Sequence, residues 1–227
     1  MQAPALQTAI LLYLALFAQT SLFVLSTWAL TTAVGGRATT VHLGTPRVFR
    51  FKLAGSDIEL GLAPLAASVT LLGRGPIDTY DGPGSFRRLG LAKRLTIILG
   101  PWILTLLVAV LCLAPSRAFS SFANAFPQIL FVLDPTPLVR GFLRVLRAEP
   151  LSITIGVLFA KLAAMNLLPL LGLAGGAALQ EIAATFRPPV KPGEEAPRTP
   201  WTSISMLFIL FFIGGRFAYG FIRALLT

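Results

Sequence analysis

The order of apolar and polar positions divides the chain into long apolar runs separated by polar segments. A bilayer core is crossed by about 20 apolar residues, and four runs reach that length. The pattern therefore predicts an all-α integral membrane protein with about four transmembrane helices. We expect the fourth helix to occupy 201–227, after a Pro-rich linker at 186–200. The apolar runs cover about 6–34, 95–114, 151–185 and 201–222.

The first run could instead be a secretory signal peptide. It has no basic segment before it, its apolar part is longer than that of a signal peptide, and no small-residue cleavage site is evident. We therefore interpret the first run as a transmembrane helix.

The segment after the first run mixes short apolar stretches with Gly and Pro. Partial alternation in RVFRFKL and DIELGL, on either side of Gly55, predicts a β-hairpin. The stretch 63–72 is too apolar for an aqueous loop and too short to span a membrane, which favours a re-entrant or interfacial segment. We expect a small membrane-associated β-hairpin and re-entrant loop at 46–73.

The segment between the second and third runs has a helical pattern. Over about 117–148, apolar residues recur at helical spacing with arginines among them. Such stretches are typical of helices that lie on a membrane surface or cover neighbouring spans. We predict interfacial helices here.

Composition agrees with a membrane protein. Hydrophobic residues make up 55% of the chain and charged residues 12%, against about 25% charged residues in ordinary soluble domains. The formal net charge is +10, but no nucleic-acid-binding motif accompanies it. We therefore expect no nucleic-acid partner.

The placement of the basic residues predicts an orientation. Nine lie between the first two runs and three lie at 186–200, whereas four lie between the second and third runs. With four spans, twelve of these basic residues would lie on one side of the membrane and four on the other. The positive-inside rule then places loop 35–94 in the cytoplasm and both termini in the periplasm of a bacterial inner membrane. Anionic lipid headgroups are the expected partners of the basic segment 37–94.

Few residues could carry catalytic chemistry. His42 is the only histidine and Cys112 the only cysteine, so the sequence favours neither an ordinary zinc site nor a Ser-His-Asp triad. No phosphate-binding glycine loop is present. We expect His42 to be an interfacial or hydrogen-bonded residue, Cys112 to be a lipid-facing or packing residue, and the chain to bind no cofactor.

Ionisable residues inside apolar runs are candidates for function. Lys161 and Arg216 fall in the outer halves of the third and fourth runs, where long side chains can reach the interface. Glu181 lies near the cytoplasmic end of the third run. A proton or ion pathway needs several such groups close together, so this distribution argues against a transporter.

The third run is interrupted by NLLPLLGLAGG, at 166–176. This stretch resembles the Asn-Leu-Leu-Pro-x-x-x-Leu-Asp-Gly-Gly motif of the site-2 protease family of intramembrane zinc metalloproteases. LAPLAASVTLLG, at 62–73, is similar to the Pro-Leu-Gly-Gly-Tyr-Val membrane loop of that family. KRLTIILGPW, at 93–102, is similar to the Arg-x-x-Ile-Ile-x-x-Gly-Pro start of its second span. The blocks follow the family's order over about 15–185, which implies a site-2-protease-like membrane core at 1–185.

The resemblance implies a homologue that has lost catalysis. The family's zinc ligands are two histidines of His-Glu-x-x-His on the first span and the Asp of Asp-Gly-Gly. Here Ala174 stands at the Asp position, and the other motif falls near 21–25, with Ser21, Leu22 and Leu25 in place of its His, Glu and His. The first run contains no His, Asp or Glu in any register. The resemblance therefore implies neither a metal nor enzymatic activity.

The resemblance also implies that such a core holds a partner's transmembrane helix. We hypothesise a non-enzymatic subunit that scaffolds or stabilises transmembrane partners in a larger membrane complex. The alternative is a regulatory pseudoprotease that transiently binds a single-span client and shields it from an active paralogue. A third possibility is an enzyme or transporter with other chemistry. The candidate docking residues, which could equally pack the protein's own helices, are Asn166, Pro169, Gly175, Gly176, Gly214, Gly215 and Gly220.

Overall fold

A computed structural model describes residues 3–74, 80–130, 134–170, 173–186 and 215–226. The chain forms two compact units, Met1–Leu107 and Val108–Thr227. The helices are α1 Ala3–Ala33, α2 Leu91–Leu113, α3 Pro115–Leu130, α4 Thr136–Ala148, α5 Leu151–Asn166, α6 Ala174–Ala184 and α7 Gly215–Leu226. The strands are β1 Ala38–Leu53 and β2 Ser56–Leu71, and a short 3-10 helix covers Phe86–Arg88.

Two helices are long and apolar enough to cross a membrane, over Gln7–Ala33 and Leu91–Leu113. In the most apolar stretch of each, only 22% and 28% of the residues are buried within the chain. A helix that is apolar on all sides and largely uncovered is unlike the amphipathic helix of a globular core. These two helices indicate that the protein associates with a membrane.

Small residues and aromatic rings hold α1 against the first half of α2. A Cβ atom added at Gly100 would lie 2.5 Å from Leu30 Cδ1, so the two helices approach closely there. The rings of Phe23 and Trp102 lie 5.0 Å apart. Leu30 of α1 lies at Gly100 of α2, whereas Phe23, earlier in α1, lies at Trp102, later in α2. The helices therefore run antiparallel. The Met1–Leu107 unit is thus built around this helix pair and the sheet.

The sheet consists of two long strands, β1 and β2, paired antiparallel around a tight turn. The segment 40–43 of β1 has partners on both sides: 67–70 on one side and 57–60 on the other. Both strands therefore fold over, and four chain segments lie side by side: 67–70, 40–43, 57–60 and 49–53. The outer segment 49–53 pairs with 56–60.

Two glycines make the fold-over possible. Gly44 has φ +85°, a left-handed conformation that favours glycine. A Cβ atom at Gly61 would lie 2.3 Å from the carbonyl carbon of Gly44. The two backbones touch directly, so neither position has room for a side chain.

The Val108–Thr227 unit is helical in its described part. Ala125 and Ile129 of α3 pack against Ala164 of α5 and against Leu168, which follows it, in a buried apolar cluster. Gly156 brings α5 close to the end of α2, where an added Cβ would lie 2.9 Å from Cys112 Cβ. Cys112 thus lies at a packing contact.

The prediction of an all-α protein with about four transmembrane helices is wrong. The two strands contribute 16 residues each, and among the described residues only α1 and α2 are long and apolar enough to span. The hairpin expected at 46–73 begins at Ala38 and is larger than predicted. α3 and α4 are helices in the region predicted at 117–148.

The third predicted span, 151–185, is two shorter helices. α5 has 16 residues, or roughly 24 Å of helix, against a hydrocarbon core of about 30 Å. The sequence analysis counted 151–185 as one span with an interruption at 166–176, and the structure ends α5 at Asn166 and begins α6 at Ala174, so neither helix alone is long enough to span. Residues 201–214 of the fourth predicted span lie outside the described residues, and so do residues 187–200 of the predicted linker.

The turn between the strands allows a first test. Ala54 and Gly55 have φ values of 50° and 78°, as in a type I′ turn. A left-handed backbone costs a residue with a Cβ roughly 1–2 kcal/mol, and Asn tolerates it better than Ala. We expect Ala54→Asn to raise the free energy of unfolding by about 1 kcal/mol, measured as a higher melting temperature in detergent. Ala54→Val is the control and should lower it; a lower melting temperature for Ala54→Asn would contradict this turn.

Candidate functional site

The interruption at 166–176 begins where α5 ends. The side-chain amide of Asn166 donates a hydrogen bond from Nδ2 to the carbonyl of Leu162 at 3.0 Å. The backbone N–H of Leu167 donates to the carbonyl of Ala163 at 3.0 Å. Asn166 therefore completes the last turn of its own helix. Pro169 follows on the surface, where it is exposed.

The next helix, α6, begins directly against the end of α5. A Cβ atom at Gly175 would lie 2.3 Å from the carbonyl oxygen of Leu167 and 2.4 Å from that of Leu168. Only glycine allows this approach. The partly positive N-terminus of α6 then lies at the partly negative C-terminus of α5, which is a favourable arrangement of helix dipoles. Gly176 is buried in the same turn.

The site-2-protease resemblance assigns four positions to catalytic residues of that family. Three of them, Ser21, Leu22 and Leu25, lie in the Met1–Leu107 unit, and Ala174 lies in the other unit. Ser21 and Leu22 are half-buried on α1, and Leu25 is 57% exposed. Ala174, which is half-buried, is the first residue of α6 in the other unit. Over the described ranges, no group of three or more His, Cys, Asp or Glu could hold a metal ion.

Two of the remaining predicted docking residues, Gly215 and Gly220, lie on α7. Gly220 is buried, and a Cβ atom there would lie 2.7 Å from Pro135 Cγ. Gly215 is exposed, and Gly214 lies outside the described residues. Gly175 and Gly220 are thus in close contact with the chain itself, and a role in docking a partner stays a prediction.

The sheet has two chemically distinct faces, which the sequence pattern alone did not reveal. Residues paired across the strands share a face, and successive residues alternate between faces. One face carries the apolar cross-strand rows Val69, Val41, Ile58, Phe51 and Ala67, Leu43, Leu60, Phe49. The other face carries the polar rows Ser68, His42, Glu59, Arg50 and Thr70, Thr40, Asp57, Lys52.

The apolar face packs along α1. Trp28 donates a hydrogen bond from Nε1 to Ser56 Oγ at 3.3 Å, and Tyr13 donates from Oη to the carbonyl of Leu62 at 2.5 Å. Tyr13 and Trp28 are fifteen residues apart, which corresponds to roughly 22 Å along a helix. The sheet therefore follows α1 for roughly 22 Å of its length.

The polar face holds a compact set of ion pairs. Glu59 is 7% exposed, and its carboxylate lies 3.0 Å from Arg47 Nε and 3.7 Å from Arg50 Nε. Arg50 also lies 3.5 Å from Asp57. His42 is the cross-strand neighbour of Glu59, and its Nε2 is buried without a hydrogen-bond partner in the described structure. The acidic residues of this face are thus neutralised locally.

The apolar face continues past α1 to an open edge. Phe49 and Leu62 are 64% and 62% exposed, and Phe51 and Leu53 are about half exposed. Within the part of the chain that the structure describes, no further strand pairs with the outer side of 49–53. Alternation in RVFRFKL predicted a strand here, but alternation cannot show which strand edge stays open.

Comparison of the sequence with models of protein families finds no match, and comparison with curated proteins finds none either.

A pair of glycine substitutions tests the contact between α5 and α6. Gly175→Ala places a methyl group against two carbonyl oxygens and should lower the free energy of unfolding by about 1–3 kcal/mol. Gly141→Ala is the matched control in α4, where an added Cβ meets nothing within 4 Å. It should raise stability by about 0.5–1 kcal/mol. Thermal unfolding in detergent measures both, and an unchanged melting temperature for Gly175→Ala would contradict the contact.

Proposed function

We propose that this chain is a non-enzymatic membrane subunit that binds and stabilises transmembrane segments of partner proteins within a larger complex. The observation that carries this proposal is the open apolar edge of the sheet beside α1. Segment 49–53 has one paired side and one open side, and it exposes Phe49 and Phe51. A partner protein is the occupant that best suits both features.

The physical reason is the cost of unpaired backbone groups in lipid. Each N–H or C=O group without a partner in the hydrocarbon region costs several kcal/mol, and open sheet edges do not face lipid. Strand edge 49–53 shares the sheet that follows α1 for roughly 22 Å. A protein that covers the edge satisfies those groups and buries the phenylalanine rings. Water in a recess could satisfy the backbone groups but would leave the rings exposed.

The resemblance to site-2 proteases supports a binding role without catalysis. The interrupted segment at 166–176 retains the family's Asn, Pro and Gly-Gly residues, whereas Ala174 and the positions near 21–25 offer no metal ligand. In this proposal the chain is a pseudoprotease that binds a partner and no longer cleaves one.

The basic residues between α1 and α2 support an orientation. Nine Lys and Arg residues lie in loop 35–94. By the positive-inside rule, the proposal has this loop enter the membrane from the cytoplasmic side of a bacterial inner membrane.

Co-purification tests the proposed docking edge. The variant Phe49→Ala/Phe51→Ala removes two exposed rings from the edge, and we expect it to weaken partner association about tenfold, as loss of interface anchors does. The matched control, Ile103→Ala/Leu111→Ala, removes two exposed apolar side chains from α2, which are 51% and 84% exposed. Its partner recovery should be unchanged. Purification in mild detergent followed by quantitative mass spectrometry measures both.

Two results would overturn this proposal. One is equal recovery of partners with the edge variant and the control. The other is a monomer that crosslinks only to a single-span client, which would favour transient shielding of that client. Crosslinking in membranes before solubilisation shows whether a missing partner dissociated during purification or was never bound.

Restoring the missing aspartate tests the non-enzymatic part of the proposal. A catalytic zinc site needs about three protein ligands, and Ala174→Asp supplies only one of the three that the family uses. We expect the variant to bind no stoichiometric zinc and to cleave no transmembrane substrate. Elemental analysis and a cleavage assay measure these outcomes, and one zinc ion per chain would contradict the proposal.

A further inference from the structure

Helix α5 carries one charged side chain, that of Lys161, in an otherwise uncharged sequence. The side chain is half-buried. Its amine nitrogen, Nζ, donates a hydrogen bond to the amide oxygen Oε1 of Gln128 on α3. The two helices pack against each other within the Val108–Thr227 unit, where Ala125 and Ala164 share a buried cluster. Lys161 is therefore held at a contact between two helices.

The side-chain amide of Gln128 is a neutral partner for a cation. A lysine ammonium group has three N–H donors, and Gln128 accepts a hydrogen bond from one of them. Over the described ranges no carboxylate forms an ion pair with Lys161, and the two acids that flank α4 are paired with arginines instead. Burial of a cation is unfavourable unless an opposite charge compensates it. The described part of the chain does not supply that opposite charge.

The surface of α5 beside Lys161 is apolar and only partly covered by the chain itself. Ile155, Leu158 and Leu162 lie on one face of the helix, three and four residues apart, and each keeps part of its surface exposed. These three residues form the α5 strip. Lys161 borders the strip, because it lies three residues after Leu158. A second helix that packs along the α5 strip brings its side chains within reach of the Lys161 amine.

Charge complementarity selects the chemistry of that second helix. Ionisable side chains in membrane helices are rare and pair with one another. A carboxylate would compensate the ammonium group and accept a charge-assisted hydrogen bond, and both interactions are stronger in apolar surroundings than in water. A helix without an acid would cover the α5 strip and leave Lys161 more deeply buried with only its neutral partner.

We propose that Lys161 forms an ion pair with an Asp or Glu carboxylate in a transmembrane helix of a partner protein, and that this helix packs along the α5 strip. This role rests on the proposed function, since the occupant is a partner's transmembrane segment. It adds the chemistry of that segment and a contact surface different from strand edge 49–53. The hydrogen bond to Gln128 is kept, because the ammonium group has two further donors.

Binding of synthetic single-span helices tests the ion pair. The probes are three peptides of Leu and Ala that differ at one central position, which is Asp, Asn or Leu. They are titrated against the full-length protein in phosphatidylcholine vesicles, and energy transfer between dyes on the peptide and on the protein measures binding. We expect the Asp peptide to bind about tenfold more tightly than the Asn peptide, which has nearly the same shape without the charge.

Three variants test whether Lys161 is the group that selects the carboxylate. Lys161→Met removes the charge and keeps an unbranched side chain, so the Asp and Asn peptides should bind alike. Lys161→Arg keeps the charge and should keep the preference for Asp. Arg144→Gln is the matched control, since it removes an exposed charge from α4 of the same unit and should leave the preference unchanged. Circular dichroism and gel filtration establish that each variant is folded.

Three results would overturn the ion pair. Absent or equal binding of the Asp and Asn peptides by the unmodified protein would show that no carboxylate is selected. A preference for Asp that persists in Lys161→Met would assign the selection to another group. Equal peptide binding, together with weaker binding of phosphatidylglycerol by Lys161→Met in native mass spectrometry, would assign the amine to a lipid phosphate. Partner recovery with the Phe49→Ala/Phe51→Ala variant is a separate measurement, so the proposed function can stand or fail independently of these results.

Discussion

The backbone of the sheet imposes the constraint on which the Met1–Leu107 unit depends. Helix α1 satisfies its own N–H and C=O groups, but a strand must find partners outside itself. The chain meets this need by folding both strands over, so that 40–43 is paired on both sides. The contacts of Trp28 and Tyr13 then attach the sheet along α1. The unpaired backbone groups are thereby confined to the outer edges of the sheet.

The same constraint explains why glycines occupy the closest contacts. Gly44 and Gly61 let one backbone fold against another within the sheet, and Gly175 lets α6 start on the carbonyl groups that end α5. In each case a backbone group of a neighbouring segment occupies the space that a side chain would need. The Gly-Gly pair of the interrupted segment has a structural role in this chain whether or not it also contacts a partner.

Much of the local structure could be predicted from the sequence, and the limits have physical causes. Alternation around Gly55 predicted a hairpin, because period two reports which residues share a face. It could not predict that 40–43 has a second partner strand, since alternation does not identify neighbours. Counting apolar residues predicted α1 and α2 correctly. It failed for 151–185, because the count of apolar residues included both sides of the interruption at 166–176, and neither side alone is long enough to span.

Only part of the candidate site could be predicted from the sequence. The positions Ser21, Leu22, Leu25 and Ala174 came from resemblance alone, and their lack of metal-ligating side chains is visible in the sequence. The ion pairs around Glu59 were not predictable, because Arg47 reaches Glu59 only through the fold-over of the strands. Long-range pairing of this kind leaves no signal in a local pattern.

Ion pairs on the sheet compensate part of its basic charge. Arg47 and Arg50 are paired with Glu59, so the number of basic residues overstates the attraction of this segment for anionic lipid. The positive-inside rule still applies to it, because that rule counts Lys and Arg and gives little weight to acids. Orientation and attraction for anionic lipid therefore depend on different quantities.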